Sequence, residues 1–135
     1  MQILTASEQD RAFLREQDFH IREAVLDDLL AHRRIYVLKK NEENIGWLRW
    51  SLFWDEIPFM NMLYVTQEYR RQGGGQKLVR FWERQMQAQG YDFVLTSSRS
   101  DEQGQHFFRK LGYRDAGTLL LQAEPTELLF VKYFP

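Results

Sequence analysis

Residues 68–85 read EYRRQGGGQKLVRFWERQ, and the reading of the consecutive glycines Gly73, Gly74 and Gly75 decides the fold. They stand between Arg70-Arg71 and a helical pattern in which Leu78, Val79, Trp82 and Met86 recur on one face. Each glycine costs a helix roughly 1 kcal/mol relative to alanine, so three at a helix start need a reason. The run FMNMLYV (59–65) before them is apolar on both faces, as a central strand is, and YDFVLTSS (91–98) follows the helix. Strand, helix and strand in this order predict a βαβ unit with parallel pairing and a right-handed crossover. The glycines then fall where the parallel strand turns into its helix. A first helical turn has unpaired N–H groups and the positive end of the helix dipole, and glycine lets an anion reach that backbone. With Arg70, Arg71 and Lys77 around it, the stretch reads as a pyrophosphate cradle. A flexible turn is the competing reading.

Outward from that point the pattern alternates between the two periodicities. MQILTA (1–6) opens as a short strand, and Ser7 with Asp10 forms a weak capping-box variant. Residues 8–31 read as one broken or two short helices, with Ile21, Ala24, Val25 and Leu29 at helical spacing and Leu26 and Leu30 widening the stripe. RIYVLKK (34–40) and NIGWLRWSLFW (44–54) are strands joined by the turn Asn41-Glu42-Glu43. In the second, Leu48, Trp50, Leu52 and Trp54 alternate with Arg49 and Ser51, which predicts a half-buried antiparallel strand. Pro58 interrupts before the strand at 59–65. Gly90 closes the glycine-led helix as a C′ residue. Ser100 and Gln103 match a capping box opening a helix of about three turns that Gly112 ends. GTLLLQ (117–122) and ELLFVKYF (127–134) are two final strands around a turn at Glu124-Pro125. The expected fold is α/β: a mixed sheet with antiparallel N-terminal strands, one central parallel βαβ crossover and a C-terminal antiparallel hairpin.

Composition narrows the function. At 135 residues without a long polar tract, a single domain over 1–135 is expected. The chain is 44% hydrophobic and 15% aromatic, enough for a substantial core. Its 18 Lys and Arg against 19 Asp and Glu give a net charge of -1, which argues against nucleic acid as a partner. The absence of cysteine removes disulfides, thiolate metal sites and a cysteine nucleophile. No apolar window reaches membrane-span length and the N-terminus carries no signal-like stretch, so a cytoplasmic protein without membrane partner or metal is expected.

Two phosphate loops fail on spacing. The glycines lack the G-x-G-x-x-G pattern of dinucleotide sites, and no G-x-x-x-x-G-K-[ST] occurs. What remains is Arg70-x-x-Gly73-x-Gly75 at a strand-to-helix junction. It resembles the acetyl-CoA signature of the GNAT superfamily of N-acetyltransferases, Q/R-x-x-G-x-G/A, within a segment, LYVTQEYRRQGGGQKLV, that is similar to the family's from end to end. Downstream, HFFRKLGY (106–113) resembles the family's second landmark.

The resemblance implies a GNAT-like acyl-CoA N-acyltransferase fold and an acetyl-CoA-dependent N-acetyltransferase. The enzyme would move acetyl directly to a primary amine without an acyl-enzyme. It implies that the pyrophosphate of acetyl-CoA lies on the amides from Arg71 through Gly73, Gly74 and Gly75 to Gln76, with Arg70 and Gln72 beside them. Pantetheine would pair with Leu63, Tyr64 and Val65, one of whose amides would polarise the thioester carbonyl. Asp101 and Phe108 complete the implied cofactor contacts. Many members carry a Glu base where this chain has Asn61, which can only hold a water. Asp55 and Glu56 are the alternative bases. The acid Tyr of the family corresponds to Phe108, which has no hydroxyl. Trp54 and Phe59 are candidate walls for the acceptor, whereas Trp50 and Trp82 read as core and His106 as a surface or packing residue. Trp47 and Phe53 are further aromatics that could line the acceptor pocket. The acceptor stays open among polyamine, amino sugar, amino acid and peptide or protein amine, and monomer and homodimer are both open. Phe108 also keeps alive a non-catalytic acyl-CoA-binding or sensing module.

Overall fold

The computed structural model describes residues 1–135. In chain order it contains β1 (Gln2–Thr5), a 3-10 turn (Glu8–Asp10), α1 (Arg11–Gln17), α2 (Glu23–Ala31), β2 (Ile35–Lys40) and β3 (Glu43–Phe53). There follow β4 (Ile57–Val65), a second 3-10 turn (Gln67–Tyr69), α3 (Gly74–Ala88), β5 (Phe93–Arg99), α4 (Gly104–Lys110), β6 (Arg114–Leu119) and β7 (Glu127–Tyr133). The strands form one mixed 7-stranded sheet in the order β1-β2-β3-β4-β5-β7-β6, the α/β arrangement expected from the sequence. Two compact units divide the chain: Met1–Ser51 with Met62–Trp82, and Leu52–Asn61 with Glu83–Pro135. No helix is long and apolar enough to cross a membrane.

In the first unit β1, β2 and β3 are antiparallel, with an irregularity between Leu38 and Lys39. Ile35, Val37 and Trp47 pack with Ala6, Leu14, Leu26 and Leu29 from the α1–α2 side. Tyr36, which alternates with them, meets Phe81 of α3 edge-on at 5.0 Å. Helices therefore cover both faces. β3 is buried continuously from Ile45 to Leu48, and the predicted alternation follows it, with Leu48 and Trp50 buried and Arg49 and Ser51 half-buried. The α2 stripe is also narrower than predicted. Leu26 and Leu29 are buried, Ile21 and Leu30 pack beside them, and Ala24 and Val25 face solvent.

The buried carboxylates of this unit are paired. Asp10 is 4% exposed and accepts bonds from the Ser7 amide at 2.9 Å, Asn44 Nδ2 at 3.0 Å and Lys39 Nζ at 3.1 Å. The Ser7–Asp10 box predicted from sequence thus becomes a junction between the N-terminal turn and the β2–β3 hairpin. Arg49 Nε donates to Asp18 at 2.7 Å, so the segment after α1 is held on β3 by a buried ion pair.

In the second unit β4 and β5 are parallel, pairing Phe59 with Leu95 and Met60 with Thr96. The Thr96 hydroxyl donates to the Met60 carbonyl at 3.0 Å. β7 lies between β5 and β6 and is antiparallel to both. Pro58 does not interrupt β4, which begins one residue earlier; a proline is tolerated at a strand's beginning, where no ladder bond needs its missing N–H. α4 has 7 residues, fewer than predicted: the Ser100 carbonyl, which would accept the first helical bond, accepts from Gln105 Nε2 at 2.8 Å, and the N-cap of the helix is Gln103. β6 starts at Arg114, and Leu120 and Leu121 lie beyond its end, exposed. Gly90 (φ 95) does end the glycine-led helix. Its amide bonds to Gln87 O and that of Tyr91 to Met86 O, the paired bonds of a Schellman motif.

Candidate functional site

After Val65 the chain passes through the second 3-10 turn, with the Tyr69 amide bonded to Thr66 O at 2.9 Å. Arg71 (φ 64) and Gly73 (φ 83) then both adopt the left-handed region, one residue apart. Left-handed residues in such alternation turn successive N–H groups toward one side, the geometry of an anion-binding nest. The first helical bond of α3 runs from the Lys77 amide to Gly73 O at 3.0 Å. The amides of Gly74, Gly75 and Gln76 precede it and stand at the positive end of a 15-residue helix.

The glycines are bare for different reasons. Gly73 needs its φ, and a Cβ there would meet nothing within 4 Å. At Gly74 a Cβ would lie 2.7 Å from Leu38 Cδ2 and 3.6 Å from Val65 Cγ2. Gly74 therefore lets the helix start settle onto β2 and β4, a tertiary reason that the local sequence does not display.

Side chains around the loop divide in two. Arg70 donates from Nε to Val65 O at 2.9 Å, and its guanidinium lies 5.1 Å from the centre of the Tyr64 ring. Gln72 accepts a bond from Lys40 Nζ at 3.1 Å, and the same ammonium sits 5.5 Å above the Tyr69 ring. Arg71, Gln76 and Lys77 extend into solvent. Lys40 and Tyr69 are the loop residues that sequence reasoning missed; Lys40 belongs to β2, and nothing in its local pattern points to the loop. Leu63, Tyr64 and Val65 are half-buried at the end of β4. Tyr64 packs on Trp47 at 4.8 Å, and Trp47 is 1% exposed, which makes it core and removes it as an acceptor wall.

The remaining candidates belong to the second unit. β3 and β4 are joined by a tight turn in which Trp54 (φ 54) and Asp55 (φ 63) are left-handed and the Glu56 amide bonds to Phe53 O at 3.2 Å. Trp54, Asp55 and Glu56 are exposed, and Phe53 stacks on Phe59 at 5.9 Å. Asn61 is exposed on β4, with Nδ2 3.4 Å from Phe59 O. Asp101 is held by Arg99 through bonds of 3.1 and 3.0 Å. Phe108 is 7% exposed and sits among Phe107, Tyr113 and Phe130 at 5.4, 5.7 and 6.0 Å. The Tyr113 hydroxyl donates to Glu83 at 2.8 Å, so it is already engaged, and His106 is exposed. In the first unit, Trp50 (5% exposed) and Trp82 (0%) are core, as expected.

The geometry can be set beside known proteins. No curated protein matches the chain by sequence. Among solved structures it is similar to Ard1 from Thermoplasma volcanium, with a TM-score of 0.84 at 16% identity over 98% of this chain and 96% of that one. It is similar to a ribosomal-protein-alanine N-acetyltransferase from Brucella melitensis, at 0.82 and 16% over 99% and 100%. It is also similar to Arabidopsis thaliana Naa50 in complex with the bisubstrate analogue CoA-Ac-MVNAL, at 0.81 and 16% over 98% of both chains. Those likenesses establish the fold. The family model described as "Acetyltransferase (GNAT) domain" matches residues 31–115, which include the nest, the start of α3 and α4, and the chain belongs to the GNAT acetyltransferase family.

Proposed function

We propose that the chain is an acetyl-CoA-dependent N-acetyltransferase whose acceptor is a primary amine of a peptide or protein. The observation that carries this reading is the left-handed pair Arg71 and Gly73 leading into the bare first turn of α3. Its amides suit a pyrophosphate, and Arg71 and Lys77 add cationic charge. Acetyl-CoA enters as co-substrate, with Leu63, Tyr64 and Val65 as the strand edge for its pantetheine. A peptide amine is chosen because the similar Arabidopsis structure holds a CoA–peptide analogue and the Brucella protein is named for a ribosomal-protein alanine. A cytoplasmic location is proposed with it.

In the proposed reaction the neutral amine attacks the thioester carbonyl carbon, the carbon–sulfur bond breaks and the thiolate takes up a proton. Asn61 holds a water that takes the amine proton outward to solvent. Asp55 and Glu56, expected from the sequence as alternative bases, stand in the turn before β4, more than about 13 Å back along the extended strand, and are out of reach of that water. Trp54 and Phe59 are the proposed acceptor contacts. Asp101 and Phe108 are kept as cofactor contacts, Phe108 as an apolar one, and thiolate protonation falls to water. One observation favours a second reading, a non-catalytic acyl-CoA-binding module: Phe108 lacks a hydroxyl and that of Tyr113 is taken by Glu83.

Calorimetry with Gln76→Glu tests the cradle. An acidic residue in the first helical turn favours the helix but repels a pyrophosphate. Acetyl-CoA is expected to bind the parent at micromolar strength and the variant about 10-fold more weakly, equivalent to ~1.4 kcal/mol, with no loss of thermal stability. Equal affinities would rule the cradle out. Free-thiol release across a panel of peptide amines separates the two readings: tight cofactor binding without release on any acceptor supports the module.

A further inference from the structure

The turn between β3 and β4 is built from costly residues. Its closing bond and its two left-handed centres make it a type I′ turn, which ordinarily takes Asn-Gly. Here the centres are Trp54 and Asp55, and a bulky side chain in that region is strained. Burial would offset the strain, but Trp54 is 77% exposed. Its ring leans on Phe53 at 4.6 Å with a 42° tilt, and Phe53 stacks in turn on Phe59. The indole is thus propped on an aromatic column with most of its surface in water. Beside it stand the carboxylates of Asp55 and Glu56, which make no side-chain hydrogen bond or ion pair within the chain.

An open indole face beside two unpaired carboxylates matches a cation that also has a flat or apolar stem, as arginine and lysine side chains do. A hairpin tip encloses nothing, whereas small amines are held in concave sites. The carboxylates repel nucleic acid and anionic lipid alike. We propose that this tip docks a basic stretch of the acceptor polypeptide, seating an arginine or lysine on Trp54 between Asp55 and Glu56. The inference rests on the peptide-amine reading above and adds the chemistry of the acceptor's sequence.

The probe is an eight-residue Gly/Ser peptide carrying three arginines, acetylated at its N-terminus so that it cannot be an acceptor and labelled with fluorescein at its C-terminus. A second peptide has glutamine at those three positions. Fluorescence anisotropy at low salt is expected to show the arginine peptide binding at least 10-fold more tightly. Trp54→Ala should weaken it about 3-fold and Asp55→Asn with Glu56→Gln about 10-fold, the scale of exposed cation–π and ion-pair contacts combined. All three positions are exposed turn residues, and thermal melts confirm that the variants fold. Equal binding of the two peptides, or of the parent and both variants, overturns the proposal. So does a concentration-dependent dimer in sedimentation that Trp54→Ala abolishes, because the tip would then serve a second copy. Gln76→Glu should bind the arginine peptide like the parent. Failure of the cofactor reading therefore shows only in the acetyl-CoA titration, and failure of docking only in the peptide titration.

Discussion

Arg70 Nε donates to the Val65 carbonyl at 2.9 Å while its guanidinium covers the Tyr64 ring at 5.1 Å. It ties the loop to the end of the strand it leaves. Its neighbour Arg71 is exposed, left-handed and has no such tie. Adjacent arginines with the same charge therefore have separable roles. Arg70→Ala should loosen the loop, lowering both thermal stability and acetyl-CoA affinity. Arg71→Gly should relieve about 1 kcal/mol of backbone strain while removing a charge, so stability holds or rises. Its acetyl-CoA affinity should fall and become less salt-sensitive. Calorimetry at two ionic strengths with a thermal melt checks both, and an unchanged salt slope for Arg71→Gly would remove that charge from the site.

Phe108→Tyr restores a hydroxyl at the position where the family resemblance implies an acid. The substitution should raise thiol release on a peptide amine, by up to the ~100-fold at the lower end for a positioned acid, with acetyl-CoA affinity nearly unchanged. A new fall in rate at high pH should accompany the gain, as the phenol ionises. Because the added oxygen enters an aromatic cluster, melting should drop by a few degrees. Equal rates in parent and variant would show that thiolate departure never limited the parent.

Glu83, 6% exposed on α3, accepts bonds from the Tyr113 hydroxyl at 2.8 Å and Lys132 Nζ at 3.0 Å. Lys132 also donates to Leu111 O at 2.8 Å, so one carboxylate joins α3, the end of α4 and β7. Lys132→Met should destabilise by about 1–3 kcal/mol, because it removes a charge-assisted bond to a buried carboxylate and the donor to Leu111 O. Tyr113→Phe should cost about 1–2 kcal/mol. Urea unfolding measures both; a double variant as costly as the two singles summed would argue against a shared network.

Asp10 sets a pH signature. Burial pushes its carboxyl up, but the Ser7 amide, Asn44 and Lys39 outweigh that and hold it below the ordinary 3.8. A lowered folded pKa means that the unfolded chain binds the proton first as pH falls. The stabilisation is present above the unfolded value and is lost as pH drops through it toward the lowered folded value. Urea midpoints from pH 7 to pH 3 should fall less steeply for Asp10→Asn than for the parent. Identical slopes would mean that Asp10 titrates as it does in the unfolded chain.

The sequence by itself determined the central crossover and the glycine turn that opens α3, because both rest on local rules. Helical spacing placed Leu78, Val79, Trp82 and Met86 on the buried face, glycine after the last turn closed α3 at Gly90, and Gly73 stands where a left-handed residue is required. Contacts between distant residues were beyond it. That Gly74 is bare because Leu38 lies behind it, that Lys40 reaches Gln72, and that β3 is buried on both faces depend on which layers pack together. Periodicity reports one residue's face relative to its neighbours and is silent on what covers the opposite face. Trp54 shows the same limit: alternation assigned it to a buried strand face. In the folded chain the β3–β4 turn closes one residue earlier, and its left-handed backbone leaves the indole in solvent.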